Sequence, residues 1–430
     1  MIYHLFQYLE SIGADFPGLG LMHYLSFRAM MAAVTAVLVA LIAGKRIIRM
    51  LQRKQIGETV RDLGLADQIQ KKGTPTMGGI IIILSILSGV LLFCDLTNIY
   101  VILLLVSTLW CGALGFADDY IKVFKHNKEG MSERGKLVGQ VILGFIVGLT
   151  VWMSPDIVVR EKVEVRESVE RSLETETTVT SGRFVEENVV KSTKTTIPFV
   201  KNHEFDYRWL SPVKGVWGWY AKWAIYVLMI VLVITACSNG TNLTDGLDGL
   251  AAGTSAIVGV VLGIMAWLGG NLIDSNFLNI MYIPGSGEMA IFMSAFVGAL
   301  VGFLWFNSFP AQVFMGDTGS LTIGGIIGVS AVLMRKELLI PLLCGVFFAE
   351  SLSVLIQRTY FKITKKKYGQ GRRVWSMTPL HHHYQDKKAP EGPVLFPKPV
   401  PAQHEAKITV RFWIVGIILA VSTLALLKIR

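Results

Sequence analysis

Ten apolar stretches alternate with polar segments along this chain, at roughly 22–45, 78–95, 98–117, 137–153, 219–237, 250–269, 289–306, 321–334, 338–360 and 408–427. A helix needs about 20 apolar residues to cross a bilayer's hydrocarbon core. Lipid offers no partner to a free backbone group, so each stretch is expected to be a transmembrane helix. The eighth is short and rich in glycine. Between the fourth and fifth the pattern changes: residues 154–215 are polar and mixed in charge, and VVREKVEVRESV and TVTSGRFVEENVV alternate with a period of two, which predicts strands. A disordered linker is the other reading of that segment. The expected fold is an all-α polytopic membrane protein of about ten helices, with a small β-rich insertion on the periplasmic side. Residues 1–153 carry helices one to four, 154–215 the insertion, and 216–430 helices five to ten, all one catalytic domain apart from the insertion.

Composition agrees with the membrane reading. Of 430 residues, 52% are hydrophobic and 17% charged, and the mean hydropathy is +0.51. The opening MIYHLFQYLE lacks a basic start and a cleavage site, so the mature chain is expected to begin near Met1. Cys94, Cys111, Cys237 and Cys344 all sit in or beside apolar runs, as small buried residues do, and their spacing suggests neither a zinc site nor a disulfide framework.

A net charge of +10 would raise nucleic acid as a partner in a soluble protein. Here the basic residues crowd into loops between spans, which points to anionic lipid instead. The first loop carries Arg46, Arg49, Arg53, Lys54, Arg61, Lys71 and Lys72, the third Lys122, Lys125, Lys128, Arg134 and Lys136, and the ninth Lys365, Lys366, Lys367, Arg372, Arg373, Lys387 and Lys388. Odd-numbered loops share one side, which the positive-inside rule makes cytoplasmic, so both termini are expected outside. Among the even loops, Arg335 and Lys336 are a small exception.

Five polar motifs fall in those same odd loops: KKGTPTMGG at 71–79, FADDYIK at 116–122, NGTNLTDGLDG at 239–249, FNSFPAQVFMGDTGS at 306–320 and TPLHHHYQ at 378–385. Asp118 and Asp119 end an apolar span. A carboxylate at that depth is costly unless it is paired or binds a metal, and adjacent helical residues point about 100° apart, so the two are expected to have different partners. Asp245 and Asp248, three apart, would share a face in a helical turn, with Gly246 and Gly249 allowing close backbone approach; a plain turn is the simpler reading. Asp317 stands before an apolar helix, where an ordinary N-cap and an anion-binding helix start are equally open. Asn307 is a polar candidate ten residues earlier. Three consecutive histidines, His381, His382 and His383, suit phosphate contact or proton transfer better than one metal. Lys71, Thr74 and Thr76 surround Pro75 without a Walker pattern. Hard carboxylate oxygens at a lipid surface suit Mg²⁺ and phosphoryl transfer.

At these residues the chain resembles the bacterial phospho-N-acetylmuramoyl-pentapeptide transferases, within the polyprenyl-phosphate N-acetylhexosamine-1-phosphate transferase superfamily. DDY at 118–120, NLTDGLDG at 242–249 and GDTGS at 316–320 carry the wider resemblance, and KKGTPTMGG and PLHHHY at 379–384 the narrower one. The resemblance implies transfer of phospho-MurNAc-pentapeptide from UDP-MurNAc-pentapeptide to undecaprenyl phosphate. The products would be lipid I and UMP, made for peptidoglycan at the cytoplasmic face of the inner membrane with Mg²⁺ required. It implies Asp317 as the principal Mg²⁺ ligand, Asp118 as base or nucleophile, and Asp119 assisting the metal or phosphates. Asp245 and Asp248 would position the nucleoside, Asn242 and Asn307 would hold polar parts of the nucleotide, and Phe314 would lie near the uracil. Lys71, Thr76, Lys122, His381 and His382 would contact phosphates or sugar. It also implies a homodimer. The 154–215 insertion is longer than the family leads one to expect. A sister enzyme using UDP-GlcNAc is the nearest rival, and an ion-coupled transporter, which would need charges at mid-membrane depth, the rival from another class.

Overall fold

The computed structural model describes residues 1–13, 18–54, 73–125, 127, 129–169, 177–200, 204–385, 393–397 and 402–427, with 161–189 described by backbone alone. A helix or helix pair stands at each of the ten apolar stretches. They are α2 (Leu25–Arg53), α3 (Gly79–Phe93), α4 (Ile99–Phe124), α5 (Glu133–Met153), α6 (Gly215–Thr244), α7 (Leu250–Gly270), α9 (Gly287–Asn307), α10 (Gly316–Leu333), the pair α11 (Ile340–Leu343) and α12 (Gly345–Tyr368), and α14 (Glu405–Leu426). Short helices α1 (Ile2–Ser11), α8 (Leu272–Leu278) and α13 (Leu380–Gln385) complete the set.

Among the described residues, eight helices are long and apolar enough to cross a membrane, or nine if the pair Glu337–Leu343 and Gly345–Tyr368 is one span. That pair is the ninth stretch, expected to be one transmembrane helix. It breaks at Cys344 and bends by 78°, with Pro341, which has no amide hydrogen, and Gly345 flanking the break. The second stretch gives a helix of only 15 residues.

Strands β1 (Val159–Val169) and β2 (Thr177–Val190) stand where the sequence alternates, paired antiparallel with an irregularity between Arg160 and Lys162. Strands β3 (Lys194–Thr196) and β4 (Glu204–Asp206) form a second antiparallel pair, and β5 (Arg373–Trp375) runs parallel to β6 (Val394–Phe396) beyond α12.

Three helices overrun their apolar stretches, and the overruns carry the chemistry. Helix α4 continues seven residues past 117, taking Asp118, Asp119 and Lys122 into its last turns; α6 continues past 237 to include Asn239 and Asn242; α10 starts at Gly316 rather than 321. Polar residues extend these helices because neighbouring helices satisfy their side chains. Helix α10 lies at the centre, buried at every position from Thr318 to Leu333. Its neighbours approach through small residues: a Cβ on Gly324 would meet the Cys237 carbonyl oxygen at 2.4 Å, and one on Gly79 the Gly319 nitrogen at 2.1 Å.

The opposite end of the bundle is closed by buried ion pairs and by the insertion. Arg28 donates to Glu288 Oε1 at 2.6 Å and Oε2 at 3.1 Å, and Glu288 Oε2 also accepts the Asp95 amide at 2.9 Å. The exceptional basic residues of the even loops are buried rather than solvated. The Arg335 carbonyl accepts the Thr196 amide and the Thr195 hydroxyl at 3.0 Å each, its guanidinium lies 4.7 Å above the Tyr226 ring, and Lys336 Nζ donates to Thr196 Oγ1 at 2.5 Å.

Burial pulls the Lys336 ammonium down from 10.5 to about 8, with Glu337 opposing. The folded value lies below the unfolded one, so folding disfavours the charged form; that penalty is complete below about pH 8 and fades as pH rises through it. Lys336→Met is therefore expected to stabilise the fold at neutral pH by on the order of 1–3 kcal/mol, read as a higher thermal unfolding midpoint, and to gain less at about pH 10. An equal gain at both would sink this account.

Candidate active site

At the end of the bundle where α4, α6 and α9 finish and α3, α5 and α10 begin, three carboxylates meet two lysines. Asp118 is fully buried; its Oδ1 accepts the Met131 amide at 2.7 Å, and its Oδ2 lies 2.6 Å from Lys122 Nζ and 3.0 Å from Lys136 Nζ. Asp317 Oδ2 takes the same two ammonium groups, Lys122 at 3.2 Å and Lys136 in closer contact, while its Oδ1 accepts Asn242 Nδ2 at 2.9 Å. Asn242 also donates to Ser320 Oγ at 2.9 Å.

Asp119 points elsewhere, as its neighbouring position on α4 requires. Its Oδ1 accepts the Asp317 amide at 3.1 Å, and its Oδ2 the Thr318 amide at 2.9 Å and the Thr318 hydroxyl at 2.6 Å. The first amides of α10 are thus capped by a carboxylate nearly two hundred residues away, favoured by the helix dipole as well. Asp317 makes no N-cap bond of its own, so its carboxylate is left to the lysines.

Oxygen atoms of Asp118, Asp119 and Asp317 all lie within 4.8 Å of one another. An all-carboxylate donor set fits a hard divalent cation, and Mg²⁺ is commonly held by one or two carboxylates plus substrate phosphates. The residues present therefore fit such a metal.

Two straps hold this centre. In the first, the 74–79 segment lies against 313–315: Phe314 donates to the Pro75 carbonyl, and Gly78 and Gly79 donate to those of Phe314 and Met315, at 2.8–2.9 Å. Thr76 is buried beside Gly316, and Phe314 half-buried. Lys71 lies outside the described residues.

The second strap is the DGLDG turn. Asp245 and Asp248 do not share a helical face, because α6 ends at Thr244 and the turn reverses through Gly249 at φ 73°. Asp248 is buried. Its amide donates to Glu405 Oε1 at 2.7 Å, its Oδ2 accepts the Ala311 amide at 3.0 Å, and its carbonyl accepts Thr409 Oγ1 at 3.1 Å. Asn307 spends its amide on the same job, accepting from Gly249 and donating to the Val313 carbonyl, while Trp413 donates to the Gly249 carbonyl at 3.2 Å. These groups shape the turn; Asp245, half-buried, remains at its outer side.

His381 packs on that turn against Gly246, and His382 stacks on His381 with ring centroids 4.2 Å apart. Sequence reasoning missed four groups here. Lys136 looked like one more loop cation. Gln140, which bonds Ser238 and Asn239 across α5 and α6, was hidden in an apolar run. Glu350 and Glu405 were acids inside or opening a span, a signal that was available.

Membrane-length helices around one ionised cluster define an integral membrane enzyme of the glycosyl-transferase kind, and the family model for glycosyl transferase family 4 matches residues 189–335. Signature 1 of the phospho-N-acetylmuramoyl-pentapeptide-transferases matches residues 71–83. The chain is similar to proteins of that name from Parabacteroides distasonis (57% identity over 431 residues), Flavobacterium psychrophilum (53% over 430) and Porphyromonas gingivalis (53% over 432), each over the whole of both chains. It belongs to the phospho-N-acetylmuramoyl-pentapeptide-transferase family. The 154–215 segment lies within these full-length matches, so its length is shared with these relatives.

Proposed function

We propose that this protein transfers phospho-MurNAc-pentapeptide from UDP-MurNAc-pentapeptide to undecaprenyl phosphate, releasing UMP, at the cytoplasmic face of the bacterial inner membrane. The observation that carries the reading is the cluster of Asp118, Asp119 and Asp317 with Lys122 and Lys136 at one end of a membrane bundle. Full-length likeness to proteins named for this transfer supports the donor. The Lys- and Arg-rich loops support a cytoplasmic site, ten spans with both termini periplasmic, and a periplasmic insertion.

In the reaction, an oxygen of the lipid phosphate attacks the phosphorus that bears the sugar. The bond from that phosphorus to the bridging oxygen breaks, and UMP leaves with the oxygen. A phosphate near neutral pH is already nucleophilic, so the demand on the protein is charge neutralisation and alignment. Lys122 and Lys136 stand ready to neutralise phosphate oxygens. Asp118, pinned between both lysines and the Met131 amide, orients them rather than attacking. Mg²⁺, held by Asp317 with Asp118 and Asp119 beside it, would neutralise diphosphate charge. Asn242 couples the end of α6 to Asp317, while Thr76, Phe314, Asp245, His381 and His382 serve the nucleotide and sugar.

The test is UMP release in detergent with undecaprenyl phosphate and either UDP-MurNAc-pentapeptide or UDP-GlcNAc, with and without Mg²⁺. Release from the first donor alone, lost on chelation and restored by Mg²⁺, is expected. Equal release from UDP-GlcNAc would turn the reading to the sister enzyme.

A further inference from the structure

We infer that Glu350 is a positioning residue, which holds the ring of His381 against the turn between α6 and α7. The inference rests on the reading of that turn, with Asp245, as part of the donor site. Glu350 lies on α12 just past the bend, fully buried in the apolar run VFFAESLSVL. Its Oε2 lies 3.3 Å from His381 Nδ1 and 3.4 Å from the His381 amide, and its Oε1 has no partner among the described residues. His381 is itself only 1% exposed, and neither of its ring nitrogens has a hydrogen-bond partner among them.

Nothing in packing calls for a carboxylate here. A buried charge is costly unless it is paired, and the group facing this one is an imidazole. A carboxylate 3.3 Å from Nδ1 favours hydrogen on that nitrogen by its charge, and by accepting the His381 amide it anchors the residue that carries the ring. Nε2 lies at the far side of the ring. It points at the turn between α6 and α7, where a Cβ on Gly246 would lie only 2.1 Å from Nε2. Gly246 is four residues beyond Asn242, which holds Asp317, and just past the end of α6. The ring thus fills the space that a side chain at position 246 would take, and its placement sets how the turn that follows Asn242 packs. Glu350 touches no reacting atom; it acts through the ring.

The test is a double-mutant cycle on the full-length protein in detergent, comparing wild type, Glu350→Gln, His381→Asn and the double variant, with Glu350→Asp alongside. Glu350→Gln is expected to lower kcat about 10- to 100-fold and leave KM for UDP-MurNAc-pentapeptide within about twofold, and Glu350→Asp to keep more activity than Glu350→Gln. In the His381→Asn background, Glu350→Gln is expected to change nothing further. A wild-type kcat in Glu350→Gln, a rise in KM alone, or the same further loss in the His381→Asn background would each overturn the inference. Should Glu350→Gln not be recovered folded, Glu350→Asp is judged by the same split between kcat and KM. Thermal unfolding of the four proteins reads the pair without the assay: strictly additive shifts overturn the contact. Failure of wild type to release UMP would count against the proposed function, while the unfolding cycle still decides the contact.

Discussion

Asp317→Ala is expected to remove transfer activity by at least about 10³-fold, at the upper end of what loss of one charge-stabilising group costs an enzyme. Its carboxylate has contacts on every side of the centre: Lys122 and Lys136 on Oδ2, Asn242 on Oδ1. Truncation frees both lysines from one of their two anchors and leaves Asn242 only Ser320. It also removes the oxygen donor that the proposed metal site depends on most. The fold should survive, because Asp118 still pairs both ammonium groups and Asp119 still caps α10 through backbone amides that the substitution keeps. UMP release, read beside chromatographic homogeneity and thermal unfolding, checks the claim. Mg²⁺-dependent turnover within tenfold of wild type would remove Asp317 from its assigned role.

Gly115→Val is expected to be as damaging without touching a charge. A Cβ at position 115 would sit 2.2 Å from the Asp317 carbonyl oxygen and 2.6 Å from the Thr318 Cα. Both are backbone, so α10 itself would have to retreat, by about 1 Å or more to restore ordinary contact. That displacement carries Asp317 away from the lysines of α4 and α5, and misplacement on that scale costs on the order of 10²-fold in rate, with overpacking adding about 1–3 kcal/mol of destabilisation. Gly112, one turn earlier on α4, is the control. A Cβ there meets the flexible tip of Ile83 at 2.8 Å, so Gly112→Ala should keep most activity. Equal activity in the two variants would mean that close approach at Gly115 does not set the centre.

Much of this was legible because membrane helices announce themselves by length of apolar run, and the acids at 118, 119 and 317 stood out against those runs. What the pattern concealed was continuation and reach. Apolar runs end where side chains turn polar, but α4, α6 and α10 end where backbone bonding ends, so Asp118, Asn242 and Asp317 proved to be helical residues. The capping of α10 by Asp119 joins positions nearly two hundred apart, and no local pattern encodes it. Lys136 was indistinguishable from other loop cations until α5 was seen to aim it inward. Asp248 and Asn307 carried the right chemistry for nucleotide contact, yet their hydrogen bonds go to the chain itself. The bend at Cys344 was hidden because 338–360 reads as continuously apolar.

The final helix, through Glu405, Thr409 and Trp413, clasps the DGLDG turn. Every acid of the centre has been synthesised by residue 317, yet that turn, held until then by Asn307 and the Ala311 amide, lacks three of its hydrogen bonds until the last helix has left the ribosome and entered the bilayer. Full ordering of the site is therefore tied to completion of translation, and a product cut short before residue 405 is expected to carry all its carboxylates yet turn over more slowly than the whole chain.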